Sequence, residues 1–144
     1  FNSLFGTSND ISKFIITDNK RDLNRYKWNN ERLIKNLKIN NSKQSIFYSE
    51  MTNLIKIRRK QKAFHPNAQR QNLNFGSKFY ALERLSLDKS QKILAITNLT
   101  SKTQVLKINS NYLKSKNLLS QKLKFTYDKE LVFNPFQTFW LSIN

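Results

Sequence analysis

The chain has 144 residues, long enough for an ordinary domain with a real core, and carries 26 Lys and Arg against 9 Asp and Glu, a formal net charge of +17. There is no Cys, which excludes disulfides and thiolate metal sites; the one His cannot build an imidazole metal cluster alone, and two glycines cannot form a Gly-rich phosphate cradle. No cofactor and no metal are expected. The charge invites a nucleic-acid reading. The lysines are scattered rather than blocked, however, and Lys, Asn, Ile and Phe all have AT-rich codons, so codon bias accounts for the excess and nucleic acid is not the expected partner.

The chain begins with Phe1 and its single methionine is Met51, so a fragment or processed chain is expected. FNSLFG is too short and mixed for a secretory signal, and no apolar run approaches the roughly 18 residues of a membrane span. A cytoplasmic protein with no membrane partner is expected.

Residues 1–68 read as loop and helix. Phe14 to Ile16 form a short apolar patch, read as a strand stub, and TDNKRDLNRYKW (17–28) follows with six charged residues and two large aromatics. NNERLIKNLK (29–38) predicts a short helix capped by Asn30, with Leu33, Ile34 and Leu37 on one face. SIFYSEMTNLIKIRRKQKAF (45–64) predicts the best helix, with Phe47, Met51, Leu54 and Ile55 on one stripe and cations in its last turns. Pro66 stops it, because His65 before a proline is pushed out of helical geometry.

After residue 70 the period changes from helix to strand. Strands are predicted at 79–87, 92–99, 103–109, 122–127 and 136–143, with Leu123, Phe125 and Tyr127 sharing a face. Such spacing suggests a small antiparallel β-sandwich. The helical half cannot bury its apolar stripes by itself and reads as a piece of a larger body.

No complete catalytic set is visible. His65 in FHPN reads as part of a helix-terminating turn, with Asn67 available for turn hydrogen bonds. The nine acids form no convincing pair for glycoside chemistry. Sequons occur at Asn98-Leu99-Thr100 and Asn40-Asn41-Ser42. RDLNR (21–25) is the best polar constellation: Arg21 and Arg25 stand four apart with Asp22 and Asn24 between them. Arg presents a rigid fork of donors to carboxylates, phosphates or sugar hydroxyls, and Asp can hold such an Arg in one rotamer. This vocabulary suits a polyhydroxylated or phosphorylated ligand. The competing reading is that the motif only organises the start of the helix at 30, with Tyr26 and Trp28 packed over it. Two further alternatives stay open: a basic nucleic-acid-binding module, and a carbohydrate-binding β domain over 71–144 with Trp140 and Phe139 as a sugar platform.

Four stretches carry a family resemblance. LFGTSND (4–10), KRDLNRYKW (20–28), LIKIRRKQKAFHPNA (54–68) and FNPFQTFWL (133–141) resemble the C-terminal part of sucrose phosphorylases and glucosylglycerate phosphorylases of the α-amylase superfamily, glycoside hydrolase family 13. Leu23 replaces the family's isoleucine, Tyr26 stands where sucrose phosphorylases often have His, and FHPNA leans towards the glucosylglycerate branch. The resemblance implies an α+β fragment: the end of a (β/α)₈ barrel over 1–70, with its last βα loop and helices, then a C-terminal antiparallel β-sandwich over 71–144. It implies retaining transfer of a glucosyl unit from an α-glucoside such as sucrose or glucosylglycerate to inorganic phosphate. Arg21 matches the arginine that helps hold the glucosyl unit; Asp22, Asn24 and Arg25 match loop-supporting positions. The aspartate nucleophile, glutamate acid/base and second aspartate of the family lie on earlier barrel strands, so this chain alone should be inactive.

Overall fold

Asp10 and Asn29 side chains set where the first two helices begin, as the structure, a computed structural model describing residues 2–119 and 122–143, makes plain. The chain divides into two compact units, Phe1–Lys56 and Ile57–Asn144.

In the first unit a 3₁₀ turn at Asn2–Phe5 leads through Gly6, at φ 57°, to helix α1 (Ile11–Thr17). The patch read as a strand stub is therefore helical. Asp10 caps it, accepting a hydrogen bond from the Lys13 backbone N–H at 3.0 Å, and Asp18 closes it in the left-handed conformation at φ 49°. These end contacts outweigh the strand preference of the isoleucines, and Ile11, Ile15 and Ile16 stay exposed. A second 3₁₀ turn, Lys20–Asn24, holds most of RDLNR. Helix α2 (Asn30–Lys38) follows. Its cap is Asn29, one residue earlier than expected: the Asn29 side chain accepts from the Arg32 N–H at 3.0 Å, which makes Asn30 the first helical residue.

Helix α3 (Lys43–Arg59) is the longest, and its predicted stripe is only partly covered, with Phe47, Met51 and Ile55 exposed. It ends five residues before the predicted 64. Residues Lys62–Phe64 form a separate 3₁₀ turn after an extended Gln61. Side chains from the sheet take over the peptide groups that a longer helix would use: Ala63 N–H donates to Gln91 Oε1 at 3.1 Å, and Arg84 Nε donates to the Ala63 carbonyl at 2.9 Å.

The second unit holds two antiparallel sheets, so the chain is α+β. Strands β1 (Gln69–Leu73), β2 (Phe79–Leu85), β3 (Lys92–Asn98), β5 (Lys116–Asn117) and β8 (Thr138–Ile143) form one, in the order β1-β2-β3-β8-β5. Strands β4 (Gln104–Leu106), β6 (Lys124–Phe125) and β7 (Leu131–Phe133) form the other, in the order β4-β7-β6, and a short helix α4 (Ser110–Leu113) lies between β4 and β5 in sequence. The core draws on both sheets: Ala81, Leu94, Ile96, Phe139 and Leu141 from the first, Leu131 and Phe133 from the second, with Tyr112 of α4. Phe133 is the hinge of this packing, with ring centroids 5.1 Å from Phe79 and 4.8 Å from Phe139.

Two strand expectations shrink. Residues 103–109 give only Gln104–Leu106, because Asn109 instead caps α4, accepting from the Asn111 N–H at 3.0 Å. Residues 122–127 give only Lys124–Phe125, and Phe125 and Tyr127 are exposed rather than core-facing.

Candidate functional site

The RDLNR segment is held from both sides by backbone and by one helix. Asp10 N–H donates to the Leu23 carbonyl at 2.8 Å. The Asn2 side-chain amide donates to the carbonyls of Asn24 and Tyr26 at 3.1 and 3.2 Å. Trp28 Nε1 donates to Thr7 Oγ1 at 2.9 Å, and Tyr26 meets Trp28 edge-on at 5.1 Å. The 2–10 segment and the 21–28 segment thus form one bracket, with its side-chain pairings 21 to 24 residues apart in sequence.

Asp22 anchors the middle of the bracket. Its Oδ1 pairs with Lys13 Nζ at 3.0 Å and its Oδ2 accepts from the Thr17 hydroxyl at 2.8 Å. Lys13 and Thr17 stand one helical turn apart on α1 and so share a face. The Lys13 ammonium first, and the Thr17 hydroxyl next, hold the Asp22 carboxyl below the usual carboxylate value, with a further push from the Arg25 charge. Asp22 is therefore committed to α1 and not to a guanidinium fork of Arg21.

The Arg21 backbone N–H donates to Asn19 Oδ1 at 3.1 Å, while its exposed guanidinium makes no hydrogen bond or ion pair with the described residues. Asn24 is exposed and contributes its carbonyl to Asn2. Arg25 ends the 3₁₀ turn, with its N–H on the Asp22 carbonyl at 3.3 Å. A depression of about 300 Å³ lies beside the bracket, lined among others by Thr7, Asp10, Tyr26, Trp28 and Gln44. Arg21 is not in its lining. Chemically the bracket offers a solvent-facing guanidinium on a backbone tied by hydrogen bonds to residues 2–10 and to Asn19.

LFGTSND and TDNKRDLNRYKW contain Thr7 and Thr17, but nothing in the sequence pattern paired them, or Asn2 and Lys13, with RDLNR. The one-turn spacing of Lys13 and Thr17 becomes legible once α1 is known to be a helix.

The other sequence candidates resolve as structure. His65 Nδ1 accepts from the Asn67 N–H at 3.2 Å, and its carbonyl accepts from Arg84 at 2.6 Å, so it serves a turn. Asp88 accepts from Lys62 Nζ at 2.7 Å and from the Ser86 and Ser90 hydroxyls at 2.7 and 2.8 Å, which together lower its carboxyl well below the usual range and tie the β2–β3 turn. The Trp140–Phe139 platform does not form: Phe139 is 1% exposed, and Trp140, on the opposite face of β8, packs edge-on to Phe64 at 4.9 Å. The sequon at Asn98 is closed in the folded chain. Asn98 is fully buried and its amide nitrogen donates to the carbonyls of Lys102 and Asn134. Among the described residues, no group of three or more Asp, Glu and His is placed to hold a metal ion, and no helix is long and apolar enough to cross a membrane.

No protein-family model and no curated protein matches the chain. Solved structures do. AmyP in complex with maltose superposes with a TM-score of 0.57 at 18% identity, covering 76% of this chain and 23% of that one. The Bacillus licheniformis trehalose-6-phosphate hydrolase TreA gives 0.52 at 17%, covering 67% and 18%. A family GH13_31 enzyme gives 0.51 at 16%, covering 85% and 20%. At these identities the likeness shows the fold alone. The chain spans about a fifth of the length of each protein, so it has the fold of a segment of these enzymes.

Proposed function

We propose that the chain is the C-terminal part of a retaining glucoside phosphorylase of the α-amylase superfamily, similar to sucrose phosphorylase, which moves a glucosyl unit from an α-glucoside such as sucrose or glucosylglycerate to inorganic phosphate. Residues 1–70 supply the last βα loop and helices of the barrel, and residues 71–144 form the appended β domain. The catalytic carboxylates come from the barrel strands upstream of these residues, so the chain by itself is inactive.

The observation that carries this reading is the bracketed RDLNR segment. Arg21 presents an uncommitted guanidinium, while Asp22, which the motif places next to it, spends its carboxylate on Lys13 and Thr17 and so stiffens the turn beneath. A guanidinium on a turn anchored in this way can fork onto vicinal sugar hydroxyls, at the cost of ordering its own side chain. The fold likeness to a GH13_31 enzyme and to a structure holding maltose supports the sugar assignment over a nucleic-acid one. The lysine excess then follows from codon bias and has no ligand role.

The test is Arg21→Ala in the protein carrying its upstream barrel, assayed for glucose 1-phosphate release from sucrose and from glucosylglycerate. A charge-assisted hydrogen bond contributes roughly 1.5–3 kcal/mol, which corresponds to a rate loss of about ten- to a hundredfold with thermal stability nearly unchanged. Unchanged phosphorolysis removes Arg21 from the glucosyl pocket. Hydrolysis that does not depend on phosphate keeps the superfamily reading and removes the phosphorylase one.

A further inference from the structure

The core face of the larger sheet does not end where its apolar residues end. Side chains alternate along a strand, so Glu83 and Leu85 share the face of Ala81, and Gln69 and Gln71 share the face of Leu73. Cross-strand pairing aligns these as rows: Leu73–Ala81–Ile96 lies against the core, then Gln71–Glu83–Leu94, then Gln69–Leu85–Lys92. On β1 and β2 the last two rows thus turn mostly polar on a face that is core two residues earlier. A groove of about 510 Å³ opens there, lined by Gln69, Arg70, Gln71, Glu83 and Leu85. That volume lies within the range of small-molecule sites.

One wall of the groove is preorganised. The buried Tyr112 hydroxyl donates to Glu83 Oε2, and Lys92 Nζ pairs with Glu83 Oε1 at 3.3 Å. Each carboxylate oxygen keeps a further acceptor position. The opposite wall is uncommitted: Gln69 and Gln71 are exposed, and their amides make no hydrogen bond with the described residues. Alternate strand residues stand about 6.5–7 Å apart, a span that one pyranose ring bridges. Arg70 pairs with Arg84 in the register that alternates to the other face of the sheet, so on the Gln71–Glu83 face an anion meets the Glu83 carboxylate, and a cation finds that carboxylate already paired with Lys92.

We infer that this groove binds a neutral polyhydroxylated ligand, a sugar or polyol, through the Gln69 and Gln71 amides and the Glu83 carboxylate, with Leu85 as its apolar floor. The site uses no residue of the RDLNR segment and stands whether or not the phosphorylase reading holds.

The test is a titration of the ¹⁵N-labelled full chain with glucose, maltose and glycerol, with inorganic phosphate in parallel. The expected result is amide shift changes at Gln69–Gln71 and Glu83–Leu85 with the sugars or glycerol, and none there with phosphate. Glycerol acting as well as the sugars identifies a polyol site; the sugars acting alone identify a saccharide site. Gln71→Leu, an exposed substitution that leaves the fold intact, weakens binding by about tenfold, the loss expected from one or two hydrogen bonds. Glu83→Gln, checked for an unchanged spectrum elsewhere, has a similar effect. No response at these amides, a response to phosphate in place of the neutral ligands, or a response undiminished in Gln71→Leu overturns the inference.

Discussion

Replacing Asn98 with alanine withdraws a polar side chain from a site with no solvent access. Asn98 Nδ2 donates to the carbonyls of Lys102 at 2.8 Å and Asn134 at 2.9 Å; Oδ1 accepts from the Thr100 N–H and hydroxyl, both at 2.9 Å. The Thr100 hydroxyl also lies 3.1 Å from the Lys102 carbonyl and satisfies it once Asn98 is gone. The Asn134 carbonyl keeps the Gln137 N–H at 3.2 Å, so the group left without a partner is the Thr100 N–H. An unpaired buried donor costs about 1–3 kcal/mol, so the variant loses about 2 kcal/mol, a sizeable share of the roughly 5–15 kcal/mol available to a domain. Asn98→Asp loses more, because it turns a carboxylate towards the two carbonyls that Nδ2 now serves. The assay is urea unfolding followed by tryptophan fluorescence in a Trp28→Phe background, where Trp140 is the one remaining indole. A loss below about 1 kcal/mol, the range of ordinary surface substitutions, refutes the idea that this asparagine ties the 98–102 turn to residue 134.

Two further outcomes follow from the packing. Gly6 sits at φ 57°, and a Cβ there would lie 2.5 Å from the Phe47 ring. Gly6→Ala therefore costs about 1–2 kcal/mol from the left-handed backbone alone, and hydrogen exchange at Asp10, whose N–H holds the Leu23 carbonyl, speeds up; unchanged exchange there refutes the bracket as a unit. Burial first, and then the hydrogen bond to Glu83, push the Tyr112 hydroxyl well above the ordinary tyrosine value of 10.0. Because the folded-state value is the higher one, the stability it contributes is complete below the unfolded value and is lost as pH rises through the folded one. A tyrosinate absorbance step above the usual range, absent in Tyr112→Phe, is the expected signature.

Alternation in KILAITNL identified β3 but not which of its faces is buried; Leu94 and Ile96 lie in the core, and Ile93 on the other face is buried as well. The same logic found β2, β8 and the two main helices to within a few residues. It missed β1, whose QRQNL has no apolar rhythm: an edge strand with exposed side chains leaves no hydrophobic record of its pairing. It read Phe14–Ile16 as a strand because propensity favours it there, whereas the Asp10 cap and the left-handed Asp18 decide for a helix.

The polar constellation Arg21, Asp22, Asn24 and Arg25 was visible as a local cluster, since all four residues lie within one turn of chain. What Asp22 does with its charge was not. Its partners, Lys13 and Thr17, come from a helix that local propensity denied, and Asn2 and Thr7 reach the segment across more than 20 residues of sequence. The sequence by itself determined the residue types at the candidate site, the helix-to-strand change near residue 70 and the absence of thiolate chemistry, because each is local or compositional. Only the tertiary structure decided which charges are already neutralised and which remain free. It closed the Asn98 sequon, removed Phe139 from any sugar platform and opened the Gln69–Gln71–Glu83 groove, because burial and pairing depend on residues that the chain brings together only when it folds.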